Sequence, residues 1–229
     1  LADGALTDGD VSLQSVVTLL DQSGLPFTPG AADPEAIRFD STRASVFWTS
    51  EGDANALLPP FVREATLGGA FLRELQTPAT YFPTSTQTSG IRNNLAFESL
   101  SFTPGRARMT TATENALYQD GPAATLTDAS PSRILEFGVH RGVPLQSFIY
   151  NTEKVAEASE PATSFSTNGL VEMLAFARNK YLTIERSFST GRGNVIRVYV
   201  IDTSDATNVS SLDSIAGVAI TPVRKTLIA

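Results

Sequence analysis

Apolar and β-branched residues along this chain fall in short runs, and few of them recur at helical spacing. Runs rich in Val, Ile, Phe, Thr and Tyr occupy 11–20, 36–39, 45–49, 61–67, 70–75, 99–102 and 107–113. Others follow at 133–139, 145–150, 173–176, 181–184 and 195–202. Gly, Pro, Asn, Asp and Ser punctuate them, which is the pattern of antiparallel strands joined by tight turns. Helical periodicity is confined to two turns over 152–159 and one over 54–58. The chain is therefore expected to be all-β.

Three of these runs share a motif: Glu35-Ala36-Ile37-Arg38-Phe39, Glu98-Ser99-Leu100-Ser101-Phe102 and Glu172-Met173-Leu174-Ala175-Phe176. Each reads glutamate, any residue, aliphatic, any residue, phenylalanine. A turn and a second strand follow, ending in Glu51, Glu114 and Glu185, at spacings of 16, 16 and 13 positions. A long unit of short strands, repeated without helix pairs, points to a β-propeller of four-stranded antiparallel blades. Radial repetition of such sheets protects their exposed edges. Approximate units are 31–95, 96–168 and 169–229 of a single domain. Residues 1–30 read as the outer half of a preceding blade, and 203–229 as the start of another connection. Three units fall short of the four blades a closed ring typically needs, so an incomplete segment of the ring, lacking opening and closing blades, is expected.

Composition narrows the function classes. In 229 residues, 41% are hydrophobic and 18% charged, as in ordinary globular domains. A net charge of -7 disfavours nucleic acid as a partner, because phosphate binding needs basic patches and the sequence shows none. No apolar run approaches the roughly 18 residues of a membrane span. Cysteine is absent, so thiolate sites are excluded, and with His140 the sole histidine, histidine zinc sites and Ser-His-Asp triads have almost no material. The chain opens Leu1-Ala2-Asp3, which reads as processed, trimmed or partial.

Several local signals reduce to turns. His140-Arg141-Gly142-Val143-Pro144 has the wrong order for a histidine phosphatase signature and reads as a hairpin turn between outer strands. Gly191-Arg192-Gly193-Asn194 runs into another strand, so no helix N-terminus follows it to bind an anion. Asp8-Gly9-Asp10 reads as a tight turn.

The sequence resembles the phytase-like family, in full the esterase-like activity of phytase family. The resemblance rests on Asp33-Pro34-Glu35-Ala36-Ile37 with Ser50-Glu51-Gly52, on the segment from Gly90 to Leu100, and on the segment from Ala112 to Pro122. It continues through Ile184-Glu185-Arg186-Ser187-Phe188 and Gly191-Arg192-Gly193-Asn194. It implies a β-propeller akin to phytases of that architecture, in an exported bacterial protein located outside the cytoplasm.

Repeated around an axis, the glutamates would gather Glu35, Glu51, Glu98, Glu114, Glu172 and Glu185 at one mouth of the channel. Like charges about 4 Å apart repel by roughly 4 kcal/mol at an effective dielectric near 20, so such a group needs cations, arginines or protons. An excess of hard oxygen ligands suits Ca²⁺. The expected activity is calcium-assisted hydrolysis of a phosphorylated small molecule. Glu98 and Glu114 form the central pair, and Arg92 and Arg186 orient the substrate. Two alternatives stand beside it. One is a non-catalytic propeller, binding a protein or glycan, whose glutamates hold blades in register. The other is a lactonase or related sugar-ester hydrolase.

Overall fold

A computed structural model describes residues 11–229. Its strands form three four-stranded antiparallel sheets, each built from consecutive strands. The first comprises β1 (Pro34–Asp40), β2 (Ser45–Ser50), β3 (Phe61–Thr66) and β4 (Phe71–Glu74). The second comprises β5 (Ser101–Phe102), β6 (Arg108–Ala112), β7 (Ser130–Gly138) and β8 (Val143–Thr152). The third comprises β9 (Ser166–Ala177), β10 (Lys180–Ser189), β11 (Gly193–Asp202) and β12 (Arg224–Leu227). The fold is all-β and consistent with an incomplete propeller segment. Among the described residues the helical content is a single 3-10 turn at Ala79–Tyr81, and no helix is long and apolar enough to cross a membrane.

Five local expectations differ from the structure. The run at 11–20 forms no strand: Leu20 alone bridges to Pro26, while Val11, Leu13 and Val16 stay exposed. Apolar alternation there finds no neighbouring strand to pair with. Leu19 and Phe27 instead pack on the Trp48–Phe61–Ala65 face of the first sheet, so the described part of 1–30 caps this sheet rather than building another. Neither 54–58 nor 152–159 is helical. The former is a turn closed by the Asp53–Leu58 bridge, and Thr152 ends β8 before irregular chain. Within 203–229, Arg224–Leu227 returns to pair with β11 and completes the third sheet. The turns expected at His140–Gly142 and at Gly191–Arg192 join β7 to β8 and β10 to β11. Asp8-Gly9-Asp10 lies outside the described residues.

The three sheets share an irregularity that the sequence pattern did not announce. In each, the ladder between the first two strands slips by one residue beside the first glutamate. The shift falls between Pro34 and Ile37 in the first sheet, and between Ile184 and Glu185, opposite Glu172 and Leu170, in the third. In the second sheet, the Phe97–Thr113 bridge and the Ser101–Thr110 pair are out of step by the same single residue. A bulge of this kind bends the strand and re-aims its side chains.

Hydrophobic layers lie between successive sheets. Phe47 and Val62 of the first pack with Leu100, Met109, Leu135 and Phe137 at the second. Ile134, Phe148 and Tyr150 of the second pack with Leu170, Met173, Tyr181 and Tyr199 of the third. One fully buried ion pair pins the second sheet to the chain preceding β12. Arg133 Nε donates to Asp120 Oδ2 at 2.6 Å, and Arg133 Nη2 to Oδ1 at 2.9 Å. Arg133 Nη1 also donates to the Leu212 carbonyl at 3.0 Å, and Asp120 Oδ1 accepts from the Ile215 N–H. Removing one partner strands the other charge in a dry environment. Asp120→Ala is therefore expected to lower the unfolding free energy by about 3–5 kcal/mol, read from urea denaturation.

Candidate metal centre and adjoining cavity

The acidic centre is built from the ends of two hairpins. Glu51 follows β2, Glu114 follows β6, and Glu98 lies at the bulged entry to β5. One carboxylate oxygen from each of Glu51, Glu98 and Glu114 lies within 4.8 Å of the others. Asp33, Glu35 and Glu51 form a second group at the same spacing, so Glu51 belongs to both. Asp33 was not singled out from the sequence, although it stands two residues before the repeated glutamate in the matched segment. Its signal was proximity alone.

Backbone bonds fix these positions. The Glu51 N–H donates to the Asp33 carbonyl at 2.9 Å, and the Glu114 N–H to the Ala96 carbonyl at 2.7 Å. The Ala96 N–H then donates to Glu51 Oε1 at 2.6 Å, carrying the carboxylate of one blade onto the backbone of the next. The Glu114 carbonyl accepts from Leu170 N–H of the third sheet at 3.1 Å and from the Ser132 hydroxyl at 2.9 Å. Gly169, beside Leu170, leaves room for the Glu114 side chain: a Cβ there would overlap its Cγ and carboxylate.

Glu51 and Glu114 are each 1% exposed, yet Glu51 Oε2 and Glu114 Oε1 have no hydrogen-bond partner. The nearest cation, Arg186 Nη2, stands 3.9 Å from Glu114 Oε1, beyond hydrogen-bonding distance. Burial, followed by mutual repulsion, pushes Glu114 up to about 8 despite Arg186. Glu51 rises to about 8 for the same leading reason, with the Ala96 N–H opposing it. Glu98 rises to about 7, mainly by burial and then by repulsion from Glu35, and Glu35 is raised by partial burial and Asp33. Buried carboxylate oxygens without donors are a cost that a cation would remove. Opposite ligands on calcium lie about 4.6–5.2 Å apart, so the spacing of either group suits a hard divalent ion.

The other three residues singled out from the sequence lie elsewhere. Glu172 pairs with Arg38 across from β9 to β1 at 2.6 Å. Glu185 is buried and saturated, accepting from the Tyr150 hydroxyl, the Glu153 N–H, Asn168 Nδ2 and Lys225 Nζ. Arg92 donates to the carbonyls of Ala116 and Gly121 and stacks over Tyr118, which leaves its guanidinium committed to loop structure. Arg186 is the arginine that reaches the acidic centre. It also lines a cavity of about 520 Å³ that Glu114 borders.

Antiparallel four-stranded blades, with a cluster of carboxylates that could hold a metal where two of them meet, are those of a propeller-type protein. The chain belongs to the phytase-like family, described as esterase-like activity of phytase, which it matches over residues 2–229. Among solved structures, it is similar to hydrazine synthase of Kuenenia stuttgartiensis at 7% identity and a TM-score of 0.40. The likeness covers 75% of this chain and 39% of that one, and so low a score carries no functional argument. Comparison with curated proteins finds no match.

The raised carboxyls make a pH prediction. Glu51, Glu98 and Glu114 hold protons in the metal-free fold up to about 7 to 8, against an ordinary value of 4.5. Their contribution to stability is fully present below 4.5 and is lost as pH rises through 7 to 8, because only the unfolded chain ionises freely. The melting temperature of EDTA-treated protein is expected to fall between pH 5 and pH 8.5. Glu114→Gln should flatten that fall, and a melting curve that climbs with pH would contradict it.

Proposed function

We propose that this protein is a calcium-assisted phosphoric ester hydrolase centred on Glu51, Glu98 and Glu114. The observation that carries the reading is the pair of buried carboxylate oxygens, on Glu51 and Glu114, that no protein donor satisfies. Asp33 and Glu35 extend the same oxygen-rich surface outward. Calcium bound there would neutralise the group and polarise the ester. Arg186 stands at the cavity side to donate to an ester oxyanion. Glu98, the least buried of the central three, is the carboxylate placed to take a proton from water. Family membership supports hydrolysis of an ester, and the phosphate is our assignment from the acidic centre and Arg186 together. Family resemblance also underlies a site of action outside the cytoplasm, where calcium is abundant.

The non-catalytic reading keeps support from Glu185, whose four donors make it a packing residue. The two readings separate experimentally. Calorimetric calcium titration is expected to show binding that Glu51→Gln and Glu114→Gln each weaken roughly tenfold or more, since affinity follows ligand charge. Glu172→Gln, outside both groups, should leave it unchanged. A phosphatase assay on the same proteins should lose turnover with Glu98→Gln. If calcium does not bind, no ester is cleaved, and Glu98→Gln alters only the melting temperature, blade packing is the function of these residues.

Gly169→Ala gives a further check that leaves every carboxylate of the sequence in place. Its Cβ would displace the Glu114 side chain. Calcium affinity should fall as it does in Glu114→Gln, with strand content by circular dichroism preserved.

A further inference from the structure

The fold gathers at one end cations that are scattered along the sequence. β1, β5 and β9 run away from Glu35, Glu98 and Glu114, so the hairpin turns that follow them lie at the end opposite the acidic centre. Arg43 stands in the β1–β2 turn, Arg106 and Arg108 at the β5–β6 turn, and Arg178 and Lys180 at the β9–β10 turn. Arg141, in the β7–β8 turn, adds another cation at the same end. The turns are contiguous. Arg106 Nη1 donates to the Phe39 carbonyl and to Asp40 Oδ1, each at 3.2 Å, joining the first turn to the second. A cleft of about 180 Å³ lined by Pro104, Arg108, Arg178 and Asn179 joins the second to the third. Carboxylates at this end are paired: Asp40 lies between Arg43 and Arg106, Glu136 meets Arg108, and Asp202 and Asp205 share Arg224. Arg141, Arg178 and Lys180 are exposed and form no ion pair among the described residues. Apolar side chains stand in water beside them: Phe39 is 53% exposed, Phe176 49%, and Leu67 in the β3–β4 turn 53%.

We propose that this basic end is a docking surface for a membrane of anionic lipid, on which the protein sits with its acidic centre turned toward solution. Charge complementarity carries the assignment. The whole chain has a net charge of -7, so an anionic surface is attracted only where cations are concentrated. Lys180 and Arg186, the latter beside the acidic centre, are six positions apart on β10, about 20 Å of strand. That is twice the Debye length of about 10 Å at 0.1 M salt, so a surface touching the turns is screened from the carboxylates. The exposed phenylalanines choose lipid over a soluble polyanion. Aromatic and aliphatic side chains interleaved with Arg and Lys suit the boundary between headgroups and acyl chains, whereas a polyanion offers them no apolar partner.

Co-sedimentation of the full chain with vesicles tests this. Phosphatidylglycerol–phosphatidylcholine vesicles would be compared with pure phosphatidylcholine vesicles, in EDTA so that calcium cannot bridge the acidic centre to lipid. The outcome is therefore independent of the hydrolase reading. The three unpaired cations are expected to give a preference of roughly a hundredfold for the anionic vesicles in 0.1 M salt, about fivefold for each. That preference should vanish at 1 M salt, where the Debye length falls to about 3 Å. The double variant Arg178→Gln, Lys180→Gln should weaken binding roughly 25-fold. Both side chains are exposed and unpaired, so its melting temperature is expected to hold. Phe176→Ala should weaken vesicle binding and leave its salt dependence unchanged. Arg192→Gln, which alters an exposed cation in the β10–β11 turn at the acidic end, should change nothing. Equal binding to the two kinds of vesicle, no binding to either, or indifference to the double variant overturns the proposal. So does polyphosphate that binds the chain more tightly than the anionic vesicles do, since that result makes the surface a site for soluble polyanions.

Discussion

The hydrogen bond from the Ala96 N–H to Glu51 Oε1 joins the first blade to the second and fixes the acidic centre in the same contact. At 2.6 Å and wholly buried, it is charge-assisted whenever Glu51 is ionised. It satisfies only one oxygen of that carboxylate. The other is left among Glu98 and Glu114, so a bond that assembles the blades also produces an electrostatic debt. A proton meets that debt at low pH, and a bound cation would meet it at high pH. Blade assembly and ion affinity are thereby two readings of one arrangement.

Packing makes this tolerable. The Phe47, Leu100 and Phe137 layer between the first two sheets, and the Ile134, Leu170 and Tyr181 layer between the second and third, bury large apolar surface close to the carboxylates. The resulting low dielectric raises the carboxyl pKa values, and the rigidity of the sheets prevents the side chains from turning outward to water. Gly169 completes the enclosure, since its missing Cβ is the volume that Glu114 occupies.

Much of the fold was legible because it rests on local patterns. The alternation of short apolar runs and turn residues located most strands, and the repeated Glu-x-aliphatic-x-Phe motif marked the first strand of each sheet. The one-residue bulges were not legible, since a register shift shows only when both strands are in place. Of the acidic centre, Glu35, Glu51, Glu98, Glu114 and the reach of Arg186 could be anticipated from repetition and adjacency. The engagement of Arg92 with two loop carbonyls, and the space at Gly169, depend on contacts between distant segments. The apolar run at 11–20 misled because period and composition describe a strand's faces and say nothing about whether a partner strand is available.

Glu185 and Glu114 occupy corresponding positions in successive repeats, each pairing with the residue two before the preceding glutamate, yet they end in opposite states. The difference lies in what the surrounding chain delivers. Lys225, from the strand that closes the third sheet, brings an ammonium to Glu185, while Tyr150, Glu153 and Asn168 supply the remaining donors. Nothing equivalent reaches Glu114, whose nearest cation stops at 3.9 Å and remains open to the cavity. A repeated carboxylate becomes packing where a lysine arrives and a candidate site where none does. Repetition of the glutamate therefore marks positions with the potential for chemistry, and the lack of a hydrogen-bonded counter-charge among the described residues selects among them.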